Sequence, residues 1–424
     1  MKIRKFYTVV LSLLMIISSL TACEETSGIT VQPTETQTTL TTISTTDTTP
    51  TTTTISETTT EATTAAPPPF RSAKEIVDDM DVGINLSNTF ESTGYESWHN
   101  ISTISEMETA WIRNGDARIK AKYVTTEELI NTIADAGFDS IRIPVTWSKA
   151  LEEDDLTIRA DFMARIKEVV DWSLNAGMYV IINVHHDNGD FAGWETRSNY
   201  ISLEDSQMEL SKKRFKSLWT QISDEFKYYD DRLIFEGINE PREVGFPEEW
   251  TTGTDAGVKN LNTLLELFVK TVRESGGYNA DRALMVTEYV GNPANFSSLV
   301  LPEDDNLIIS FHCYEPYLFT LDGVDKDWSS SNPEDTDLMN ENFSDAYEKY
   351  VSKSIPAICG EFGALQLDAT PQEDRLAYTD YFLKTAEDSN IPGFLWINGQ
   401  GVIDRSTCEW EQPDLLEVIQ KYMD

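Results

Sequence analysis

The chain has 424 residues, of which 40% are hydrophobic and 10% aromatic, so it is long and apolar enough to form a substantial buried core. It carries 72 acidic and 33 basic side chains, which gives a formal net charge of -39. This charge repels phosphate backbones and anionic lipid head groups, and it argues against nucleic acid as a partner.

The N-terminus has the pattern of an export signal. Three basic residues precede an apolar stretch that is too short and too close to the terminus for an ordinary membrane span. This stretch ends in LTAC, which resembles the bacterial lipobox, where the cysteine becomes the lipidated first residue. We predict that residues 1–22 are a lipoprotein-type signal peptide and that Cys23 is a lipid anchor. The alternative is ordinary cleavage after Ala22, with Cys23 unmodified.

Threonine dominates the next segment, residues 23–69, which has scattered acids and prolines and almost nothing apolar to bury. Such a segment does not offset its own ordering entropy. We predict a disordered linker that holds the rest of the chain away from the surface to which Cys23 is attached. The protein is therefore expected to be exported and held at the outer surface of a bacterial membrane, which it contacts only through this anchor.

The composition changes at Phe70, and residues 70–424 contain no second linker and no visible internal repeat, so we predict a single domain there. Short apolar strands alternate with amphipathic helices throughout it. The predicted strands begin near Val82, Asp139, Tyr179, Arg232, Ala283, Leu307, Ile355 and Gly393. Helices are predicted between them, for example from Thr125, Ala160 and Leu261, and several end in glycine.

Eight strands in alternation with helices favour an α/β fold of the (β/α)8 TIM barrel type. A doubly wound sheet more usually has about five to seven strands. No GxGxxG sequence follows the first strand, which also argues against a dinucleotide-binding fold.

Polar residues repeatedly occur where the predicted strands end. They are Asn88 after the first strand, Arg142 in the second, His185 and His186 after the third, Asn239 and Glu240 after the fourth, His312 and Tyr314 at the sixth, Glu361 at the seventh and Trp396 at the eighth. Taken singly, each has a structural explanation, such as a salt bridge for Arg142 or core packing for Trp396. In a barrel, however, these strand ends converge on one mouth, so the set predicts a single cleft.

Two carboxylates in this set, Glu240 and Glu361, suit the cleavage of a glycosidic bond. One acid must protonate the leaving oxygen while the other, ionised, attacks the sugar, and a separation of about 5 Å gives retention of configuration. We expect Arg142 to hold Glu361 ionised as the nucleophile, and Glu240, beside a neutral amide, to keep a raised pKa as the proton donor. We predict neither a cofactor nor a metal.

The segments LIFEGINEPR and ICGEFG resemble the acid/base and nucleophile motifs of glycoside hydrolase family 5, the cellulase family A of retaining (β/α)8 glycosidases. The phrases GINLSNT, IRIPVTW, INVHHD and WINGQGVIDR are most similar to the endoglucanases of subfamily 4. The resemblance covers residues 72–424. It implies a retaining endo-β-1,4-glucanase acting on cellulose, mixed-linkage glucan or xyloglucan, with a β-mannanase or xylanase on the same scaffold as the alternative.

The resemblance also implies a role for each matching residue. Glu240 would be the acid/base, Glu361 the nucleophile, Asn239 a ligand of the sugar 2-hydroxyl, Arg142 and Tyr314 contacts of the nucleophile, His185 and His312 walls of the cleaved sugar's subsite, and Trp396 its stacking floor. Two departures from the pattern, Ser87 in place of a common glycine and WINGQG in place of a second aromatic and an aspartate, concern substrate preference and leave both acids intact.

Aromatic rings stack on the C–H faces of pyranose rings, so tryptophans in the predicted loops are candidates for the cleft walls. They are Trp98, Trp147, Trp194, Trp250 and Trp328. We select Trp147 and Trp194, and we add His186 and Asn88 as substrate-binding residues. The expected partner is a β-glucan polysaccharide, and the expected oligomeric state is a monomer.

Two other classes of function compete with the glycosidase. A metal-dependent hydrolase could use His185, His186, Asp187, His312 and Glu361, but the first strand has no HxH and the chain has no histidine-rich ligand set. A non-catalytic, lipid-anchored glycan-binding protein would explain the export signal, the linker and the tryptophans, but a binder does not need two opposed acids.

Three cysteines remain after Cys23, namely Cys313, Cys359 and Cys408. Their odd number and the absence of CxxC spacing argue against a zinc site and against a dense disulfide framework. We expect buried thiols, with one disulfide as the alternative.

Overall fold

The structure is a computed structural model, and it describes residues 70–92, 103–109, 121–189, 200–364, 370–397 and 401–423. The predicted signal peptide, Cys23, the threonine-rich linker, Trp98 and Trp194 lie outside these residues. Within these residues, no helix is both long enough and apolar enough to cross a membrane.

Eight parallel strands form a closed barrel in the order of the sequence. The strands are β1 (Val82–Asn85), β2 (Ser140–Ile143), β3 (Tyr179–Asn183), β4 (Leu233–Glu236), β5 (Leu284–Thr287), β6 (Leu307–His312), β7 (Ala357–Phe362) and β8 (Gly393–Trp396). The barrel closes where β1 pairs with β8, with Val82 opposite Gly393. All eight predicted strands and the (β/α)8 fold are therefore confirmed. A short antiparallel pair, β9 (Ile403–Asp404) and β10 (Glu409–Trp410), was not predicted.

Helices surround the barrel. Those in the described residues are α1 (Ala73–Asp78), α2 (Ile104–Glu108), α3 (Glu127–Asp135), α4 (Ala160–Asn175), α5 (Met208–Phe226), α6 (Asp255–Glu274), α7 (Pro333–Lys349), α8 (Gln372–Ser389) and α9 (Pro413–Ile419). The three helices predicted by their first residue are present, but α6 begins at Asp255 instead of Leu261. The Thr254 hydroxyl accepts a hydrogen bond from the Gly257 N–H, so a polar cap starts this helix before its apolar stretch.

The barrel interior changes character along its axis. Its lower part is a buried apolar cluster that includes Ile181, Ile234, Met285, Ile308, Ile358 and Phe394. Gly83 lies against this cluster, where a Cβ atom would come within 2.3 Å of the Phe394 ring. Successive inward positions of a strand are two residues apart, and on β6 they run from Ile308 through Ser310 to His312. The interior therefore becomes polar toward the C-terminal ends of the strands.

The three cysteines are free thiols. Cys313 and Cys359 are buried and Cys408 is half-buried. The expectation of buried thiols agrees with the structure for the first two cysteines and only in part for the third.

Candidate active site

Glu240 and Glu361 face each other at the C-terminal mouth of the barrel. Nδ1 of His312 lies 2.7 Å from Oε1 of Glu240 and 3.7 Å from Oε2 of Glu361. One oxygen of each carboxylate and one ring nitrogen of His312 lie within 4.8 Å of one another. This spacing is close to the separation of about 5 Å between the two acids of retaining glycosidases.

A β-bulge brings Glu361 and His312 into the cleft. The register between β6 and β7 shifts at this point, so that Phe311 pairs with Cys359 while His312 pairs with Glu361. Gly360 is the additional residue, and a Cβ atom there would lie 3.1 Å from Oγ of Ser310 and 3.3 Å from Nε2 of His312. The bulge thus redirects Glu361 to the mouth of the barrel, as bulges near active sites commonly do.

Arg142 connects both halves of the site from a fully buried position. Its Nη1 donates to Oε1 of Glu361 at 2.9 Å, and its Nη2 donates to Oδ1 of Asn239 at 2.6 Å. The hydroxyl of Tyr314 donates to Oε2 of Glu361 at 3.0 Å. Each oxygen of Glu361 therefore has a donor, which fixes the orientation of the carboxylate.

The prediction that Glu240 keeps a raised pKa was wrong, and Arg142 does not lower the pKa of Glu361 below its ordinary value. Burial raises the pKa of Glu361, and the positive charges of His312 and Arg142 offset this only in part. Burial also acts to raise the pKa of Glu240, but the hydrogen bond and charge of His312 outweigh it and lower that pKa. The pKa of His312 is raised, because the two carboxylates outweigh the effect of burial. Glu240 is therefore paired with an ionisable ring rather than only with a neutral amide.

Trp396 and His185 form one wall of the site. Their ring centroids lie 5.8 Å apart, and the angle between the ring planes is 13°. Burial, followed by the nearby positive charges, lowers the pKa of His185 well below its ordinary value and lowers that of His186 to about 3. Both rings are therefore neutral near pH 7. The half-buried indole of Trp396 leaves part of its surface available at this wall.

Asn88 lies in the loop after β1. Its backbone has a φ of 52°, and its N–H donates to the buried carboxylate of Glu91. The residue is half-buried, at the same end of the barrel as the two acids. Asn88 and His186 remain candidates for substrate contact.

The prediction that Trp147 forms a cleft wall was wrong. Trp147 is fully buried, its indole N–H donates to the carbonyl of Asn183 at 2.8 Å, and its ring packs edge-on against Phe162 of α4. The Asp187 carboxylate accepts hydrogen bonds from the backbone N–H groups of Trp147 and Ser148 and thereby holds the turn after β2. In this turn the indole points toward the helix layer and away from the cleft. The Asp187 carboxylate is therefore used to hold this turn through these two backbone hydrogen bonds.

Other tryptophans have different environments. Trp328 is buried against Tyr378 and Tyr381. Trp250 is exposed to about a third, and the guanidinium of Arg242 lies over its ring at 4.3 Å. Of the tryptophans that the structure describes in loops, Trp250 is therefore the one with an accessible face.

The sequence analysis missed Glu236, the last residue of β4. It is fully buried, and it accepts a hydrogen bond from Nε of Arg142 at 2.7 Å. A signal was present, because an acid inside the apolar run LIFEG cannot be left unpaired in a barrel interior. It lies in the same segment as Glu240, four residues earlier.

Comparisons with known proteins agree with this geometry. The model of the family described as cellulase (glycosyl hydrolase family 5) matches residues 90–401. Endoglucanase B of Ruminococcus albus is 37% identical over 364 residues, which cover 83% of this chain and 81% of that protein. Endoglucanase B of Neocallimastix patriciarum is 35% identical and covers 82% and 72%, respectively.

Solved structures give the same result. The complex of a glycoside hydrolase 5 lichenase from Caldicellulosiruptor sp. F32 with cellotetraose superimposes with a TM-score of 0.74 at 32% identity, covering 84% of this chain and 96% of that one. A GH5-4 broad specificity endoglucanase from Clostridium longisporum gives 0.72 at 31% identity, covering 84% and 100%. The chain belongs to subfamily 4 of glycoside hydrolase family 5.

Proposed function

We propose that this protein is a retaining endo-β-1,4-glucanase that hydrolyses β-glucans by double displacement. The observation that carries the proposal is the approach of the Glu240 and Glu361 carboxylates to within 4.8 Å. An inverting enzyme needs a wider gap, because a water molecule must fit between the base and the sugar. The names of the related endoglucanases and the cellotetraose bound to the related lichenase support a β-glucan as the substrate.

In the first step, Glu361 attacks the anomeric carbon and forms a covalent glycosyl-enzyme. Arg142 and Tyr314 hold its two oxygens, so the attacking lone pair has a fixed direction. Glu240 protonates the leaving glycosidic oxygen. Glu240 and His312 share this proton across their 2.7 Å contact, and a bound sugar that excludes water favours the neutral form of the pair.

In the second step, a water molecule enters after the leaving group departs. Glu240, now ionised, accepts a proton from this water, which attacks the anomeric carbon and releases Glu361. Two inversions at the same carbon give net retention. Arg142 donates to Oδ1 of Asn239 and thereby orients this amide so that its Nδ2 can donate to the sugar 2-hydroxyl. The face of Trp396 supports the pyranose ring.

The N-terminal sequence supports a location outside the cell. The signal over residues 1–22, a lipid on Cys23 and the linker over residues 23–69 would place a monomeric catalytic domain, residues 70–424, outside the cell. A polysaccharide is too large to enter the cell intact, so it must be hydrolysed outside the cell. Replacement of Cys23 with alanine should move activity from the membrane fraction to the medium, and activity that stays in the membrane fraction would contradict the lipid anchor.

The activity is tested by the release of reducing ends from barley β-glucan. Glu240→Gln and Glu361→Gln should each lose most of the activity, whereas Glu248→Gln, an exposed acid in the loop after β4, is the matched control and should retain it. The first product, followed by NMR, should be the β-anomer. Equal activity of all the variants would contradict the glycosidase, and an α-anomer would contradict retention.

The preferred glucan is tested by product profiles. Carboxymethylcellulose, lichenan, xyloglucan, xylan and mannan should be compared with one enzyme preparation. We expect the first three to be cleaved. A preference for mannan or xylan would replace the glucanase with a mannanase or xylanase on the same catalytic pair.

A further inference from the structure

Glu236 lies directly beneath the catalytic pair. It is the last residue of β4, its side chain is fully buried, and its neighbours in register are Asn183 on β3 and Met285 on β5. It is four residues from Glu240, but it reaches the site only through other side chains. The double displacement itself does not use Glu236.

Three donors from three strands hold the carboxylate of Glu236. Oε2 accepts from Nε of Arg142 at 2.7 Å and from Nδ2 of Asn183 at 2.9 Å. Oε1 accepts from Oγ of Ser310 at 3.0 Å. These contacts join β2, β3 and β6 to β4. The carboxylate is therefore fixed in place, and each of its two oxygens has at least one donor inside the protein.

Arg142 lies between two carboxylates. Its Nε faces Glu236, and its Nη1 faces Glu361 at 2.9 Å. All three groups are buried, so their charges interact strongly and water screens them little. The charge of Glu236 offsets much of the charge of the guanidinium. Glu361 consequently receives a well-directed hydrogen bond from a group whose positive charge is already largely balanced.

This balance affects the chemistry of a nucleophile. Glu361 must give electron density to the anomeric carbon, and an unbalanced cation beside it would stabilise the free carboxylate relative to the glycosyl ester. Such a cation would slow the formation of the ester and speed its hydrolysis. Among the described residues, the other polar groups that face the Glu361 carboxylate include Glu240 on the loop after β4, His312 at the end of β6 and Tyr314 just after it, while the Cys359 thiol on β7 contacts only the backbone carbonyl of Glu361.

We propose that Glu236 is a positioning residue that fixes the guanidinium of Arg142 from below and balances its charge, so that Glu361 is oriented but remains reactive toward the sugar. The inference rests on the proposed function of Glu361 as the nucleophile. The role of Glu236 is indirect, since the residue does not touch the reacting atoms.

The variant Glu236→Gln tests the proposal, because it keeps the length of the side chain and an acceptor for Arg142 but removes the charge. We expect kcat on β-glucan to fall at least about tenfold, with a smaller change in KM. The loss of the anion favours the ionised form of Glu361 and lowers its pKa. The acidic limb of the kcat/KM profile should therefore move to lower pH.

A dinitrophenyl β-cellobioside separates the two chemical steps. The wild type should show a burst of dinitrophenol when hydrolysis of the ester limits turnover. Glu236→Gln should show a smaller burst, because formation of the ester becomes slower and its hydrolysis faster. Loss of folded protein would instead reduce the burst and the steady-state rate by the same factor and would leave the pH profile in place.

Two further variants separate charge from packing. Ser310→Ala removes one hydrogen bond to Glu236 and keeps its charge, so the acidic limb should not move. Glu236→Asp keeps the charge but withdraws the carboxylate from Arg142, so kcat should fall, and the acidic limb should move less than it does in Glu236→Gln.

A folded Glu236→Gln with an unmoved acidic limb and an undiminished burst would overturn the proposal. If Glu236→Gln does not fold, an unchanged kcat for Glu236→Asp would overturn it instead. Neither result would affect the proposed function, which depends on the inactivity of Glu361→Gln.

Discussion

The lower and upper parts of the barrel interior are built from the same eight strands but use opposite chemistry. The lower part is an apolar cluster that includes Ile181, Ile234 and Ile308. The upper part, which we call the polar layer, consists of Asn85, Arg142, Asn183, Glu236, Asn239, Ser310 and Glu361. Apolar burial stabilises the fold directly. The polar layer offsets its desolvation cost only because its members satisfy one another.

This comparison indicates which parts of the barrel determine stability and which determine activity. Substitutions in the lower part should affect mainly stability, and substitutions of the reacting acids should affect mainly activity. The other members of the polar layer should affect both, because they are buried and also hold Glu361, the proposed nucleophile.

The largest expected effect is on activity. Glu240→Gln and Glu361→Gln should each lower kcat/KM on barley β-glucan by about 10²- to 10⁴-fold or more. Their melting temperatures should remain close to that of the wild type, because the amide keeps the shape of the side chain. A melting temperature that falls together with the activity would show that these acids also stabilise the fold. The separation between stabilising residues in the lower part and catalytic residues in the upper part would then not hold.

The second effect combines stability and activity. Arg142→Met removes the cation between Glu236 and Glu361 and should lower the free energy of unfolding by about 3–5 kcal/mol, because two buried carboxylates lose their partner. Without the guanidinium, which acts to lower it, the pKa of Glu361 should rise further, so the variant should lose less stability at low pH than at high pH. Urea denaturation at pH 5 and pH 8 measures this. If Arg142→Met loses the same unfolding free energy at pH 5 and at pH 8, the buried carboxylates beside Arg142 are not charged as we propose.

The third effect is on stability alone. Ile234→Ala in the lower part should lower the free energy of unfolding by about 2–5 kcal/mol, since it leaves a cavity in a fully buried cluster. The kcat of the folded fraction should stay near the wild-type value. A large change in kcat at a temperature where the variant is folded would show that the lower part transmits strain to the site.

The smallest effect concerns pH. The folded pKa of His312 is raised by the two acids, so its contribution to stability is fully present below its unfolded pKa of about 6.5. This contribution is lost as the pH rises through the folded pKa. The difference in unfolding free energy between the wild type and His312→Gln should therefore shrink as the pH rises from 6 to 9. A difference that does not vary with pH would contradict a charged ring beside Glu240.

The sequence alone determined the strand order, the barrel and the pair of acids. Alternating apolar strands and amphipathic helices leave few topologies, and the polar residues at strand ends can share a cleft only when the strands are parallel. Motifs that are contiguous in the chain, such as the one around Glu240, are also visible without any structure.

Only the tertiary structure decided the environments of individual side chains. Trp147 follows a strand like a cleft residue, yet the contact between Asp187 and its backbone turns it into the core. Glu236 has its partners on three other strands, and His312 meets Glu240 through a bulge between β6 and β7. Burial, charge pairing and side-chain direction depend on neighbours that are distant in sequence, and no local pattern encodes those distances.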